Sequence, residues 1–228
     1  MTVSVIIPAL NEAQQIAATL DALEAAGLWH EIIVVDGGSN DATMVRAQRP
    51  TTQVISGPRG RAHQMNTGAH HASGEVLFFL HADTRVPPTA FEAIQATFAE
   101  QPEAGAGTFR LTFDARSPLL NLYSTCTRFP SPRLTFGDRG LFIRRAVFDT
   151  VGGFPDQPVF EDVEMVRRIR AMAPLIYRRE AVVTSARRFL GTGPLRQQLR
   201  NAMLWGGYFA GVAPERLAAW YPYRKPSV

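Results

Sequence analysis

Glu31-Ile32-Ile33-Val34-Val35-Asp36 is an apolar, β-branched run that ends in an acid, and Val76-Leu77-Phe78-Phe79-Leu80 is a similar run that leads into His81-Ala82-Asp83. Apolar runs of this length are typical of central parallel strands that are buried on both faces. In open α/β sheets, ligands bind in the crevice beyond the carboxyl ends of such strands. We therefore expect Asp36 to bind a nucleotide base there and Asp83 to bind a divalent cation that contacts the phosphates of the nucleotide.

Strand and helix patterns alternate along the first 80-odd residues. We expect a first strand at Val3 to Ile7, with Asn11 as the N-cap of the helix that follows. The alternation is typical of a Rossmann-like half-sheet in an α/β protein. Two short strands are expected at Leu175 to Tyr177 and at Ala181 to Thr184, and residues 114–136 are expected to form a long excursion or a helix over the site.

The composition favours a single cytoplasmic domain. The chain has 228 residues, of which 46% are hydrophobic, so it can bury one sizeable core. The net charge is +4, but no basic run interleaved with aromatic residues predicts a nucleic-acid partner. One cysteine, Cys126, excludes an internal disulfide and fits a reducing compartment. Neither a signal peptide nor a transmembrane helix is predicted.

Three segments are candidates for nucleotide binding, and each also has a purely structural interpretation. Pro8-Ala9-Leu10-Asn11-Glu12 exposes backbone groups at a strand end, or simply begins a capped helix. In Asp36-Gly37-Gly38, the carboxylate can accept the N–H of a base, and the glycines allow the base to approach the backbone closely. Alternatively, Asp36 only caps a tight turn. Arg59-Gly60-Arg61 and Asn66 suit an anion at a helix start, or form a solvated basic loop. No G-x-G-x-x-G follows the first strand, which argues against a dinucleotide-dependent dehydrogenase.

Three further groups carry charge or ligand chemistry. His81 and Asp83 lie two residues apart, so both side chains could bind one cation. The alternative for His81 is a hydrogen bond next to the metal site without contact with the cation. Glu161-Asp162 begins a helix, where the dipole favours ionised acids, and one carboxylate there could accept a proton from a nucleophile. Arg187-Arg188 follows a strand and could neutralise a departing diphosphate.

In this order, the segments SVIIPALNE, IIVVDGGSNDAT, RGRAHQMNTG, FLHADT, GDRGLFIRR and FEDVEMVRRIR resemble family 2 glycosyltransferases of the GT-A fold. The resemblance covers roughly residues 3–170. FLHADT and the short tail also resemble a subgroup of small enzymes encoded near radical-SAM and arsenosugar or selenium genes. The family metal motif is Asp-x-Asp, of which this chain keeps only the second acid, Asp83, behind His81.

The resemblance implies a role for each candidate residue. It implies a mixed sheet flanked by helices, with a nucleotide-binding half (1–86), an acceptor half (87–190) and a helical tail (191–228) in one domain. Asp162 would be the catalytic base and Glu161 its partner. The implied nucleotide-binding residues are Pro8, Ala9, Asn11, Glu12, Asp36, Gly37, Arg61, Asn66 and Ala82. The implied acceptor-side residues are Gly137, Asp138, Gly140 and Phe160, with Arg187 and Arg188 on the diphosphate and Asp83 and His81 on Mn²⁺ or Mg²⁺.

The resulting hypothesis is an inverting, metal-assisted transfer of a sugar from a nucleotide-diphosphate sugar, UDP-linked, to an unknown acceptor. Two alternatives stay open at this point. One is a sugar-1-phosphate nucleotidyltransferase, although its glycine-rich phosphate loop is missing after the first strand. The other is a non-catalytic binder of nucleotide sugars, which the His81 substitution favours and the Glu161-Asp162 pair opposes.

The tail from Pro194 to Tyr221 is expected to be helical and carries an aromatic band. Its members are Trp205, Tyr208, Phe209, Trp220 and Tyr221. The band is interpreted either as core packing or a homodimer contact, or as an interfacial helix that makes the protein peripheral to a membrane.

Overall fold

The computed structural model describes residues 1–129 and 137–220, which form an eight-stranded mixed sheet with helices on both faces. The strands are β1 (Val3–Ala9), β2 (Glu31–Asp36), β3 (Thr52–Ser56), β4 (Val76–Phe79), β5 (Thr84–Arg85), β6 (Ala106–Phe113), β7 (Leu141–Arg144) and β8 (Leu175–Thr184). The helices are α1 (Ile16–Ala25), α2 (Thr43–Ala47), α3 (Arg61–His71), α4 (Ala90–Glu100), α5 (Pro118–Cys126), α6 (Arg145–Val151), α7 (Glu161–Arg170), α8 (Arg187–Thr192), α9 (Pro194–Phe209) and α10 (Pro214–Trp220).

The strand order is β3-β2-β1-β4-β7-β6-β8-β5. β7 is antiparallel to both β4 and β6, and β5 is antiparallel to β8, whereas the remaining pairs are parallel. Only β5 and β7 therefore run against the other described strands. The carboxyl ends of β1, β2, β4, β6 and β8 all reach the same edge of the sheet, termed the carboxyl edge.

Side-chain alternation along β1 divides the core into two layers. Val5 and Ile7 pack with α1 and α4 on one face, while Ile6 packs with α3, α6 and α7 on the other. Gly68 of α3 lies so close to the sheet that a Cβ atom there would be 2.4 Å from Ile6 Cγ2. Because most inward positions on both faces are apolar, the sheet is packed between two helical layers.

The structure differs from the prediction for the last strand and for the tail. Leu175–Thr184 is one strand with an irregular register against β6, not two strands. The tail is broken into α9 and α10 around Gly211, whose φ is +84°. In the predicted excursion, α5 is a helix as expected, while residues 130–136, like Tyr221 of the aromatic band, lie outside the described residues.

Candidate active site

The topology brings the charged candidates to the carboxyl edge. Asp36 is the last residue of β2, Asp83 follows β4, and Arg187 follows β8. Helices α3 and α7 each precede a strand that leads toward this edge, so both helices begin there. Antiparallel β7 starts at the same edge, which places the preceding turn, Gly137–Arg139, beside them.

The loop after β1 is built from contacts with the loop after β2. Oδ1 of Asn11 accepts the N–H of Asn40 at 2.9 Å, and its own N–H donates to Ser39 Oγ at 2.9 Å. The N–H of Glu12 donates to Thr43 Oγ1 at 2.7 Å. The predicted N-cap role of Asn11 is therefore wrong: α1 begins at Ile16, and Asn11 has a φ of +55° because this cross-loop bonding fixes its backbone.

Gln64 joins the ends of β1 and β2, and the sequence reasoning missed it. Its buried Nε2 donates to the carbonyl oxygens of Ala9 and Val35, both at 2.8 Å. Gly37 completes the arrangement, since its N–H donates to Ala9 O and a Cβ there would lie 2.9 Å from Gln64 Cδ. The available signal was a glutamine next to Met65 on the face of α3 that packs on the sheet.

Asp36 caps its own turn and still has an unused oxygen. Oδ2 accepts the N–H groups of Gly38 and Ser39 at 3.0 and 2.9 Å. Oδ1 is buried and accepts no hydrogen bond from the described residues. An unpaired buried carboxylate oxygen is costly, and a ligand N–H in the crevice would satisfy it.

Glu12, Arg187 and Asp83 form an ion-paired group across the carboxyl edge. The Nη2 atom of Arg187 bonds to both carboxylate oxygens of Glu12 and lies 3.2 Å from Asp83 Oδ2. Burial raises the pKa of Glu12, the hydrogen bond from Arg187 opposes that rise, and the charge of Asp83 adds to it. A diphosphate could take over the guanidinium that now neutralises the two acids.

His81 is a neutral imidazole beside a cation. Burial holds its pKa well below the usual value, and the charges of Arg61 and Arg188 lower it further. Its Nε2 lies 3.4 Å from Nη1 of Arg61. The predicted metal site, Asp83 with His81, thus has one carboxylate and one neutral ring nitrogen.

These two groups fit a divalent cation only if the ligand supplies further oxygens. No group of three or more His, Cys, Asp and Glu side chains in residues 1–129 and 137–220 is placed to hold a metal ion alone. A carboxylate and a neutral imidazole suit Mn²⁺ better than Mg²⁺, and cations of this kind are commonly held by one or two protein groups plus substrate phosphates. Asp83 is the residue that would hold such a cation.

The first turn of α7 carries the two acids predicted to be catalytic. Nε of Arg61 lies 2.6 Å from Oε1 of Glu161, yet neither oxygen of Glu161 accepts a well-aligned hydrogen bond from the described residues, so charge holds the pair together. Burial raises the pKa of Glu161, although Arg61 lowers it. Oδ1 of Asp162 accepts the N–H of Val163 at 2.8 Å, which fixes the carboxylate at the helix end.

Asp138 adds another acid to the same edge. Burial and the charge of Asp162 raise its pKa to about 7, while Arg139 and Arg61 lower it and Asp83 raises it further. The neighbouring Arg139 is fully buried and donates to the carbonyl oxygens of Phe109 and Thr127, both at 2.9 Å. Arg139 was not predicted, and it fixes the turn that carries Asp138.

Some predicted site residues also make structural contacts. Both ends of the Asn66 amide bond to the backbone of Phe154, at 2.8 and 2.9 Å, so this side chain ties α3 to the segment after α6. Ala82 is packed in the core, and its carbonyl accepts from Thr19. Phe160 has a φ of +62° immediately before Glu161, and its ring lies 4.7 Å from the ring of Tyr208 in α9.

The other predicted residues lie around this group. Pro8 and Ala9 end β1 opposite Val35 and Asp36. Gly137 and Gly140 bracket the turn that carries Asp138, and Gly140 has a φ of +68°. Arg188 is exposed, and its charge lowers the pKa of both Glu12 and His81.

The sequence model of glycosyl transferase family 2 matches residues 4–154, which include Asp36, Asp83 and Asp138 but end before Glu161. The chain belongs to this family. "Probable glycosyltransferase YdaM" of Bacillus subtilis (strain 168) is 27% identical over 195 residues, which cover 73% of this chain and 46% of that protein. The chain spans about half the length of the curated relatives it matches.

Two solved structures confirm the predicted GT-A fold. The S. aureus TarS 1-349 structure in complex with UDP has a TM-score of 0.66 at 20% identity, covering 81% of this chain and 60% of that chain. The mannosyltransferase PcManGT from Pyrobaculum calidifontis, in complex with GDP-Man and Mn²⁺, has a TM-score of 0.68 at 22% identity. It covers 97% of this chain and 69% of that chain.

Proposed function

We propose that the protein is an inverting glycosyltransferase that moves a sugar from a nucleotide-diphosphate sugar, UDP-linked, to an acceptor hydroxyl or similar nucleophile. One observation carries this proposal. Glu161 and Asp162, from the acceptor half, meet the same carboxyl edge that carries Asp36 and Asp83 from the nucleotide-binding half. A donor held by the first half would therefore present its reacting carbon to acids of the second half.

The donor side is supported by the unused oxygen of Asp36. A pyrimidine ring N–H is a suitable donor for Oδ1, and the open space beside Gly38 leaves room for the ring. The complex of TarS with UDP supports a uridine donor, and the PcManGT complex makes a guanosine donor the alternative for testing. Arg187 and Arg188 supply positive charge for the diphosphate.

On the acceptor side, Asp162 acts as general base. It takes the proton from the acceptor as the nucleophile attacks the anomeric carbon from the face opposite the leaving diphosphate, which inverts that centre. Glu161, held by Arg61, positions the acceptor, and Asp138 lies where it can contact the same substrate. A Mn²⁺ ion at Asp83 would offset the negative charge of the leaving diphosphate.

Two finer points are also part of the proposal. Family membership and the missing phosphate loop favour sugar transfer over nucleotidyl transfer, and the Glu161-Asp162 pair favours an enzyme over a non-catalytic binder. The narrower resemblance to the radical-SAM-associated subgroup stays a prediction, as do the domain halves and the cytoplasmic location.

The test is Asp162→Asn, with Asp156→Asn as the matched control because Asp156 is 82% exposed on the preceding loop. Release of UDP or GDP from UDP-glucose, UDP-N-acetylglucosamine and GDP-mannose, first with water as acceptor and then with candidate acceptors, should fall by about 100-fold or more in Asp162→Asn. UDP binding measured by calorimetry should stay within about twofold of wild type. Turnover equal to that of Asp156→Asn would overturn the role of Asp162.

A further inference from the structure

Helix α9 presents its apolar side to solvent. Leu195, Leu199 and Met203 recur at a spacing of four residues and are 66%, 64% and 52% exposed, and Phe209 is 45% exposed further along. Ala202, Gly206 and Ala210 are also exposed and lie at positions that continue the same stripe. A helix packed on a globular protein normally has the opposite arrangement, with the apolar stripe inward.

The inward side of α9 is the more polar one. Gln197 is buried and donates to Asn201 at 2.8 Å on the next turn. Leu204 is buried on the same side, and Tyr208 lies against Phe160. Because polar contacts and two larger side chains already fix the inner face, the outward apolar stripe is not needed to hold the helix in place.

Neighbouring helices extend the exposed apolar surface. α8 and α5 both pack against α9. Leu190 of α8 is 61% exposed, and Leu122 and Phe129, in and just after α5, are also exposed. Exposed apolar side chains on helices that pack against one another are typical of a protein or membrane interaction surface.

The charge around the stripe favours a negatively charged partner. Arg196 and Arg200 flank it, and α9 contains no acidic residue. From residue 187 to residue 220 the sequence has five arginines and a single acid, Glu215. A second copy of the same face would bring arginines together without acids on α9 to pair them, so a homodimer is disfavoured.

We propose that α9 is an interfacial helix that docks the protein on an anionic lipid surface. Leu195, Leu199, Met203 and Phe209 enter the headgroup boundary, while Arg196 and Arg200 contact lipid phosphates. A helix with this apolar stripe suits a position in the plane of the interface. None of the described helices is both long and apolar enough to cross a bilayer. The docking does not depend on the proposed function. If that function holds, the Tyr208–Phe160 contact places the acceptor side of the site close to the lipid.

The experiment is co-sedimentation of the full chain with vesicles of phosphatidylcholine alone or mixed with phosphatidylglycerol. Wild type should bind the mixed vesicles, and added salt should weaken that binding. The double variant Leu199→Glu/Met203→Glu should lose about tenfold or more in affinity for them. Arg196→Gln/Arg200→Gln should lose about tenfold on mixed vesicles and change little on neutral ones.

Val45→Glu is the matched control, because Val45 is an equally exposed apolar residue on α2. It should bind vesicles like wild type, and circular dichroism with UDP calorimetry checks that each variant is folded. No binding of wild type to mixed vesicles would overturn the proposal. A different result would assign the stripe to a contact with a second copy of the chain. In that case wild type does not bind vesicles but is a dimer in analytical ultracentrifugation, and Leu199→Glu/Met203→Glu dissociates the dimer.

Discussion

Nε of Arg61 lies 2.6 Å from Oε1 of Glu161, and this ion pair joins the first turn of α3 to the first turn of α7. The Glu161 side chain is 2% exposed, whereas that of Arg61 is 37% exposed. The buried carboxylate therefore depends on this cation more than the cation depends on the carboxylate. The pair connects the half of the chain that carries Asp36 to the half that carries Asp162.

This asymmetry predicts unequal effects of removing either partner. Arg61→Met should lower the free energy of unfolding by about 2 kcal/mol, since it leaves a buried charge without its cation and the partial exposure of Arg61 reduces the full penalty. Glu161→Gln should cost less than about 1 kcal/mol, because it removes the buried charge itself. Urea unfolding at pH 7 measures both. A larger loss for Glu161→Gln would contradict this description of the pair.

The raised pKa of Asp138 should make the free energy of unfolding depend on pH. Its pKa is raised from 3.8 to about 7, so between these values the folded protein holds a proton that the unfolded chain has released. Its contribution to stability is therefore present at low pH and is lost as pH rises toward and through 7, by a few kcal/mol at most. Asp138→Asn should flatten this decline and raise the free energy of unfolding at pH 8.

Urea unfolding of wild type, Asp138→Asn and the exposed control Asp156→Asn at pH 5 and pH 8 measures this effect. If the free energy of unfolding changes equally between pH 5 and pH 8 in all three proteins, Asp138 is not the source of the pH dependence.

Replacing Arg187 should weaken the binding of phosphate-bearing ligands selectively. Arg187→Gln should weaken UDP binding by about tenfold, the effect of one charge-assisted hydrogen bond, and should leave uridine binding nearly unchanged. Arg170→Gln is the control, since Arg170 is exposed at the far end of α7. Equal losses for UDP and uridine would mean that Arg187 supports the loop containing Glu12 rather than the diphosphate.

The unbroken apolar runs were sufficient to predict a Rossmann-like half-sheet, and the resemblance to family 2 glycosyltransferases predicted the GT-A fold that the solved structures confirm. Asp36 and Asp83 could be placed at one edge from that pattern alone. Asn11 could not be placed correctly, because its backbone is fixed by Ser39 and Asn40, which are almost 30 residues away.

Long-range polar contacts account for the other differences. Gln64 and Arg139 bond to backbone carbonyls of distant strands, and no local pattern reports such partners. The contacts of Arg187 with Glu12 and Asp83 were not foreseen, and its role on a diphosphate stays a prediction. For α9, the spacing of apolar residues predicts the helix, whereas the choice of the face that is buried depends on Gln197 and Tyr208, and only the packed structure gives it.

The proposed function is tested most directly by calorimetric titration of UDP, GDP and dTDP, with and without Mn²⁺, against wild type, Asp83→Ala and the control Asp156→Ala. We expect UDP to bind wild type and the control more tightly with Mn²⁺, by about tenfold or more, and Asp83→Ala to lose this gain. Nucleotide binding that is indifferent to both Mn²⁺ and Asp83 would contradict the metal-assisted mechanism. No binding of any of the three nucleotides would contradict the proposed function itself.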